Sequence, residues 1–160
     1  MVEFRTLLGA LVDGGVEFIL VGGVAATVHG SARLTSDVDI VYRRSPENIG
    51  KLAAALAPLE PSLRGAPPGL PFRLDAETIE HGLNFTLSTH AGALDLLGEI
   101  AGGGGWEELR GHTIGVEVFG LSCKCLDLDT LIAVKRAAGR PRDLETVAEL
   151  EALRAATDER

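Results

Sequence analysis

Asp37-Val38-Asp39-Ile40-Val41 places two carboxylates two residues apart in an otherwise apolar run. Side chains at i and i+2 of a strand share a face. The spacing therefore predicts that Asp37 and Asp39 point together while Val38 and Ile40 turn to a core. Two neighbouring anions repel, and holding them on one face costs free energy unless a cation neutralises them. Mg²⁺ suits such a place, because it takes oxygen ligands and is commonly bound by one or two carboxylates plus substrate phosphates. Taken alone, the pattern also reads as a solvated strand edge with a chance Asp-x-Asp.

The residues upstream narrow that choice. Glu17 to Val21 is a short apolar run suited to a buried strand, and Gly22-Gly23 follows it directly, with Val24 to His29 able to begin a helix. A strand, paired glycines and a helix start let backbone N–H groups approach a phosphate. The spacing is not Gly-x-Gly-x-x-Gly, so a dinucleotide fold gains no support. Before it, Phe4, Leu7, Leu8 and Leu11 mark an amphipathic helix that Gly14-Gly15 ends. After the carboxylates, Ser45-Pro46-Glu47 opens a helix carrying Leu52, Leu56 and Leu59, closed by Pro58 and Pro61.

The stretch from Pro61 to Pro71 holds four of the seven prolines and reads as a loop. Leu83 to Leu87 and Ala93 to Leu97 then read as strands joined by His90-Ala91-Gly92. Gly102 to Gly105 reads as a flexible loop leading to Trp106, and Thr113 to Phe119 alternates as another strand. Asp127 can cap a helix over Leu128 to Ala138, and Pro141 starts a last helix through Leu150 and Leu153. The order is helix, strand, helix, strand, helix, several strands and then two C-terminal helices, so the expected class is α+β in a single domain over residues 1–160.

Composition bounds the function. The 160 residues are 46% apolar and carry a formal net charge of −8, with 23 acidic against 15 basic side chains. Broad electrostatic coating of nucleic acid needs a basic face, which this balance does not offer. Cys123 and Cys125 read as reduced cysteines packed in or near the core, because one Cys-x-Cys pair does not make a four-ligand metal site. No apolar stretch reaches the ~18 residues of a membrane span. Glu3, Arg5, Asp13 and Glu17 do not suit a secretory signal, so a cytoplasmic location is expected.

Gly22-Gly23-Val24-Ala25, His29-Gly30, Arg33 and Thr35-Ser36-Asp37-Val38-Asp39-Ile40, in that order, resemble the polymerase-β-type nucleotidyltransferase superfamily. The likeness is to its small bacterial branch, which includes abortive-infection-type toxins. Leu94-Asp95-Leu96-Leu97 is similar to the strand that carries that family's third carboxylate, and Asp127 to Leu144 to its closing helices. The resemblance implies transfer of a nucleoside monophosphate from a nucleoside triphosphate, ATP among them, to an acceptor. It implies two Mg²⁺ ions about 3.5–4 Å apart, held by Asp37 and Asp39, with Asp95 on the ion nearer the acceptor. Many relatives carry serine directly after the glycines, where this chain has Val24.

Residue chemistry supports parts of that scheme. Asp95 is a lone charge among Leu94, Leu96 and Leu97, costly without a partner. Lys135, Arg136, Arg140 and Arg142 form a basic cluster in an acidic chain, and positive charge is what a leaving pyrophosphate needs. Lys135, on a helix otherwise apolar at Leu131, Ile132 and Val134, is the preferred phosphate contact. The three arginines read as helix caps or partners of Asp143 and Glu145. Gly22, Gly23 and Arg33 complete the candidate nucleotide contacts. His29 is expected to pack or cap its helix, and Trp106 to anchor a loop rather than stack on a base. The acceptor is expected to be RNA, a protein or a small molecule, recognised by a partner protein, a second copy of the chain or a shallow cleft. A toxin–antitoxin component is one setting for it. The competing readings are a non-catalytic nucleotide-binding or regulatory module, favoured by Val24, and a structural antitoxin or complex subunit.

Overall fold

A computed structural model describes residues 3–67 and 69–158. The chain runs α1 (Phe4–Asp13), β1 (Phe18–Val21), α2 (Gly22–Val28), β2 (Asp37–Tyr42), α3 (Pro46–Leu56), a single 3₁₀ turn (Ala57–Leu59) and β3 (Ser62–Leu63). It continues through α4 (Ala76–His81), β4 (Phe85–Thr89), β5 (Gly92–Leu97), β6 (Glu99–Ile100), β7 (Gly104–Gly105) and α5 (Trp106–Leu109). The hairpin β8 (Thr113–Val118) and β9 (Leu121–Leu126) precedes α6 (Leu128–Ala138) and α7 (Pro141–Asp158).

Seven strands form one mixed sheet in the order β3-β4-β5-β2-β1-β9-β8. Next to the central strand β2 lies β1, buried at all four positions, antiparallel to β2 and parallel to β9. β2 in turn runs parallel to β5. A strand buried on both faces reads as a continuous apolar run, which is why Phe18 to Val21 carries no polar residue. The helices α1 and α3 pack on each other, α2 packs on β1, β2 and α6, and α7 packs on α6. Among the described residues no helix is long and apolar enough to cross a membrane.

Local chemistry sets the helix ends. The Ser45 side chain accepts a hydrogen bond from the Asn48 N–H, and Asp127 accepts one from the Thr130 N–H at 2.8 Å, each satisfying an N-terminal donor. Asn48, itself buried, accepts from the Glu17 N–H and donates to the Glu17 and Arg43 carbonyls. That clamp ties the entrance of β1 to the exit of β2. Cys123 and Cys125 are free, buried thiols of β9.

The structure departs from the sequence reading in several places, among them β9 and α5, which were not expected. The stretch expected to be a loop from Pro61 to Pro71 begins with β3, which pairs with β4; Pro68 lies outside the described residues. Gly104–Gly105, expected in a flexible loop, pair with Glu99–Ile100. The strand expected from Leu83 begins at Phe85. Six-residue α4, capped by Asp75, is too short to show a helical period and was not anticipated.

Candidate active site

Sheet register assembles the site. Val21 of β1 lies opposite Asp39 of β2, and Asp39 lies opposite Asp95 of β5. The end of β1, the start of β2 and the middle of β5 thus meet. One carboxylate oxygen each from Asp37, Asp39 and Asp95 lies within 4.8 Å of the others. The structure therefore brings together the three acidic residues singled out in the sequence.

Gly22 and Gly23 begin α2 against these carboxylates. Gly22 has φ +70°, and a Cβ there would sit 2.0 Å from Asp39 Oδ2. A Cβ on Gly23 would lie 2.5 Å from Thr35 Oγ1. The glycines are thus required by close approach as well as by backbone conformation. Val24 is buried among core residues and absent from the cleft wall.

Asp39 cannot carry its charge comfortably. Burial, a hydrogen bond with Asp95, and repulsion from Asp37 and Asp95 push its carboxyl from 3.8 up to about 8, against the pull of Lys135. Its Oδ1 is buried without a hydrogen-bond partner. An orphaned carboxylate oxygen in a cluster of three acids fits a hard cation.

A cleft of about 170 Å³ opens beside the trio, lined by Gly22, Gly23, Arg33, Thr35, Ser36, Asp37, Asp39, Lys135, Arg140, Arg142, Asp143 and Thr146, among others. A smaller one of about 100 Å³ shares Gly22, Asp39, Lys135, Arg140 and Asp143 but runs between Leu97, Ile100, Ala101 and Val134. Asp39 and Lys135 belong to both walls.

Lys135 has only 11% of its side chain exposed, with its Nζ 3.9 Å from Asp143 Oδ1. Burial lowers its pKa, while Asp143 and Asp39 favour the charged form. Asp143, 3% exposed, accepts hydrogen bonds from the Arg140 backbone N–H at 3.3 Å, Nε at 2.6 Å and Nη2 at 3.2 Å. Its burial opposes ionisation, but the bonds and charge of Arg140, with Lys135, outweigh it and hold the carboxyl below its usual range. Arg136 pairs with Glu151, and it is absent from both cleft walls.

Arg33 lines the cleft, but its guanidinium meets Glu145 at 3.1 Å and Glu149 at 3.8 Å on α7. Glu149 also accepts from the Ser31 hydroxyl and the Ala32 N–H, fastening the loop before β2 to α7. The expected partner of Glu145 was one of the C-terminal arginines; it is Arg33. His29 Nε2 bonds the Leu126 carbonyl at 2.7 Å, a packing role. Trp106 is buried, with the guanidinium groups of Arg43 and Arg110 each 4.6 Å from its ring, and it lines neither cleft at the trio.

Sequence reasoning missed Arg64, the residue that follows β3. Its Nη2 donates to Asp95 Oδ1 at 2.9 Å and to the Leu87 carbonyl at 2.7 Å, and its Nη1 lies 3.8 Å from Asp37 Oδ2. An isolated arginine near prolines shows no period. The only available signal was electrostatic: three clustered acids call for a positive partner.

This architecture is the nucleotidyltransferase fold. The solved structure of ANT(2″)-Ia in complex with adenylyl-2″-tobramycin matches with a TM-score of 0.56 at 16% identity, over 98% of this chain and 95% of that one. The Thermotoga maritima protein TM1012, assigned as a nucleotidyltransferase, matches with a TM-score of 0.52 at 17% identity, over 100% and 97%. An antigenic nucleotidyltransferase-like protein from Paracoccidioides brasiliensis matches at 0.53 and 13% identity, over 94% and 75%. No protein-family model and no curated protein sequence matches this chain.

Proposed function

We propose that this chain transfers a nucleoside monophosphate from a nucleoside triphosphate to an acceptor hydroxyl, releasing pyrophosphate, with Asp37, Asp39 and Asp95 as ligands of Mg²⁺. The observation that carries the reading is the convergence of three carboxylates, one with an orphaned oxygen, beside the paired glycines and the buried Lys135. Mg²⁺ bound there neutralises the trio and the developing phosphate charge and lowers the acceptor hydroxyl's pKa. The rest is the work of the chain's own groups. The Gly22 and Gly23 N–H groups and the Arg33, Arg140 and Arg142 side chains line the cleft that would take the triphosphate. The acceptor oxygen forms a bond to the α-phosphorus as the bond to the bridging oxygen breaks. Asp95 receives the acceptor proton, and Lys135 meets the charge on the departing pyrophosphate.

Residues 1–160 are read as one domain that performs this chemistry, in the cytoplasm, where ATP and Mg²⁺ are abundant. The acceptor is open to three classes. The neighbour bound to adenylyl-2″-tobramycin makes a polycationic sugar one of them, and a net charge of −8 suits such a molecule. RNA and protein are the others, and they are the acceptors a toxin–antitoxin role would use. The non-catalytic alternative rests on Val24, which is buried and does not line the cleft.

The test is to incubate the protein with each labelled nucleoside triphosphate, Mg²⁺, and in turn an aminoglycoside, total RNA and cell protein, beside Asp39→Ala. Label transfer that the substitution abolishes supports the reading. Nucleotide binding without transfer to any acceptor would sink it.

A further inference from the structure

The carboxylate trio already holds one cation, and that cation belongs to the chain. Arg64 sits on Asp95 at 2.9 Å and 3.8 Å from Asp37, so its guanidinium bridges two members of the trio, while Lys135 lies against Asp143. We propose that Arg64 is a built-in counter-cation that stands where a second divalent ion would bind. The resting chain then takes one ion, at Asp37 and Asp39, and a second is admitted only when Arg64 leaves Asp95. This rests on the reading of the trio as Mg²⁺ ligands.

Charge supports the assignment. One divalent ion plus one guanidinium matches the three negative charges of Asp37, Asp39 and Asp95, whereas two divalent ions exceed them. A second ion therefore belongs with an incoming triphosphate, which brings the missing negative charge. Asp39 Oδ1, without a partner, is the oxygen that Arg64 leaves unserved.

Geometry allows the release. The Arg64 N–H donates to the Thr86 carbonyl at 3.0 Å, continuing the β3–β4 ladder, so the backbone is fixed while the long side chain reaches over β4. About a third of that side chain is exposed, and its Nε has no partner. Outside the carboxylates, the Leu87 carbonyl is the acceptor it would give up. Rotation of the side chain then frees Asp95 without unpairing a strand.

The experiment is a Mn²⁺ titration without nucleotide, read by the electron paramagnetic resonance of free and bound ion, on the unaltered chain, Arg64→Ala, Arg64→Gln and Asp39→Ala. Arg64→Gln keeps a donor for the Leu87 carbonyl, which separates lost charge from lost packing. The unaltered chain should bind one ion. Both Arg64 variants should bind a second at least tenfold more tightly than the unaltered chain does, with the spin-coupled spectrum of a two-ion centre. In metal-free buffer their melting temperatures should fall, and Mn²⁺ should restore them. Two ions already bound by the unaltered chain, or one ion at unchanged affinity in both Arg64 variants, overturns the proposal. If Asp39→Ala still abolishes that ion, the metal site stands and only the role of Arg64 fails. No ion bound by any variant, all folded by circular dichroism, overturns both.

Discussion

Asp39 and Asp143 are two carboxylates turned from water that share Lys135 as a neighbour, yet they are finished differently. Asp143 is met by three donors of Arg140 and by the nearby lysine, and its charge is held below the usual pKa range. Asp39 is crowded by two other acids, keeps an oxygen without a partner, and has its pKa pushed up to about 8. The chain supplies the complement of one and withholds the complement of the other. A buried charge completed by protein is scaffold; one left incomplete is a place for something that arrives from solution.

Substitution at each should therefore break different properties. Asp39→Ala should lower nucleotide transfer by on the order of 10³-fold, measured as label incorporation at saturating Mg²⁺. Its metal-free form should melt no lower than the unaltered protein, because a source of repulsion has been removed. Asp143→Ala should do the reverse at first sight, costing about 3 kcal/mol of stability in denaturant titration by leaving Lys135 buried without its counter-ion. An Asp143→Ala protein of full stability would erase the distinction.

Gly22→Ala should cost about 2 kcal/mol, since it combines a positive φ with a Cβ driven into Asp39. The same change should weaken Mn²⁺ binding, whereas Gly50→Ala, whose Cβ meets nothing, should do neither. Per unit of pH the smallest effect is a slope, at most about 1.4 kcal/mol for one proton. Asp39 keeps in the folded state a proton that the unfolded chain releases above 3.8. Its contribution is thus present at low pH and lost as pH rises toward about 8. Asp143, with a lowered pKa, contributes the opposite slope: stability present above 3.8 and lost as pH falls below it. Denaturant titrations in chelator should show the neutral-pH decline vanish in Asp39→Asn and on adding Mg²⁺. The acid-side loss should vanish in Asp143→Asn.

Much of the candidate site's geometry was legible because it obeys short-range rules. Asp37 and Asp39 follow the two-residue period of a strand, Gly22-Gly23 follows an apolar run, and Asp95 stands out as the one charge on its strand. The α+β layout and the closing pair of helices followed from caps and apolar spacing. What escaped was long-range or too brief for a period. Arg64 reaches the trio only because two residues of β3 pair with β4, a contact no local pattern announces. The parallel pairing of β2 with β5, which sets Asp39 against Asp95, likewise depends on strands far apart in the chain. The start of α2 at Gly22 itself, two residues before the expected Val24, was likewise not announced, because paired glycines read as a turn.

That parallel pairing has a kinetic corollary. A slip of one residue between β2 and β5 would send Asp95 to the opposite face and leave the trio one ligand short. No local stretch of the chain holds the carboxylate trio, and such distant pairings are the slow ones to form. If the trio takes an ion as proposed, its capture during refolding would mark the moment the middle of the sheet closes in register, and Mn²⁺ would then serve as a clock for the fold.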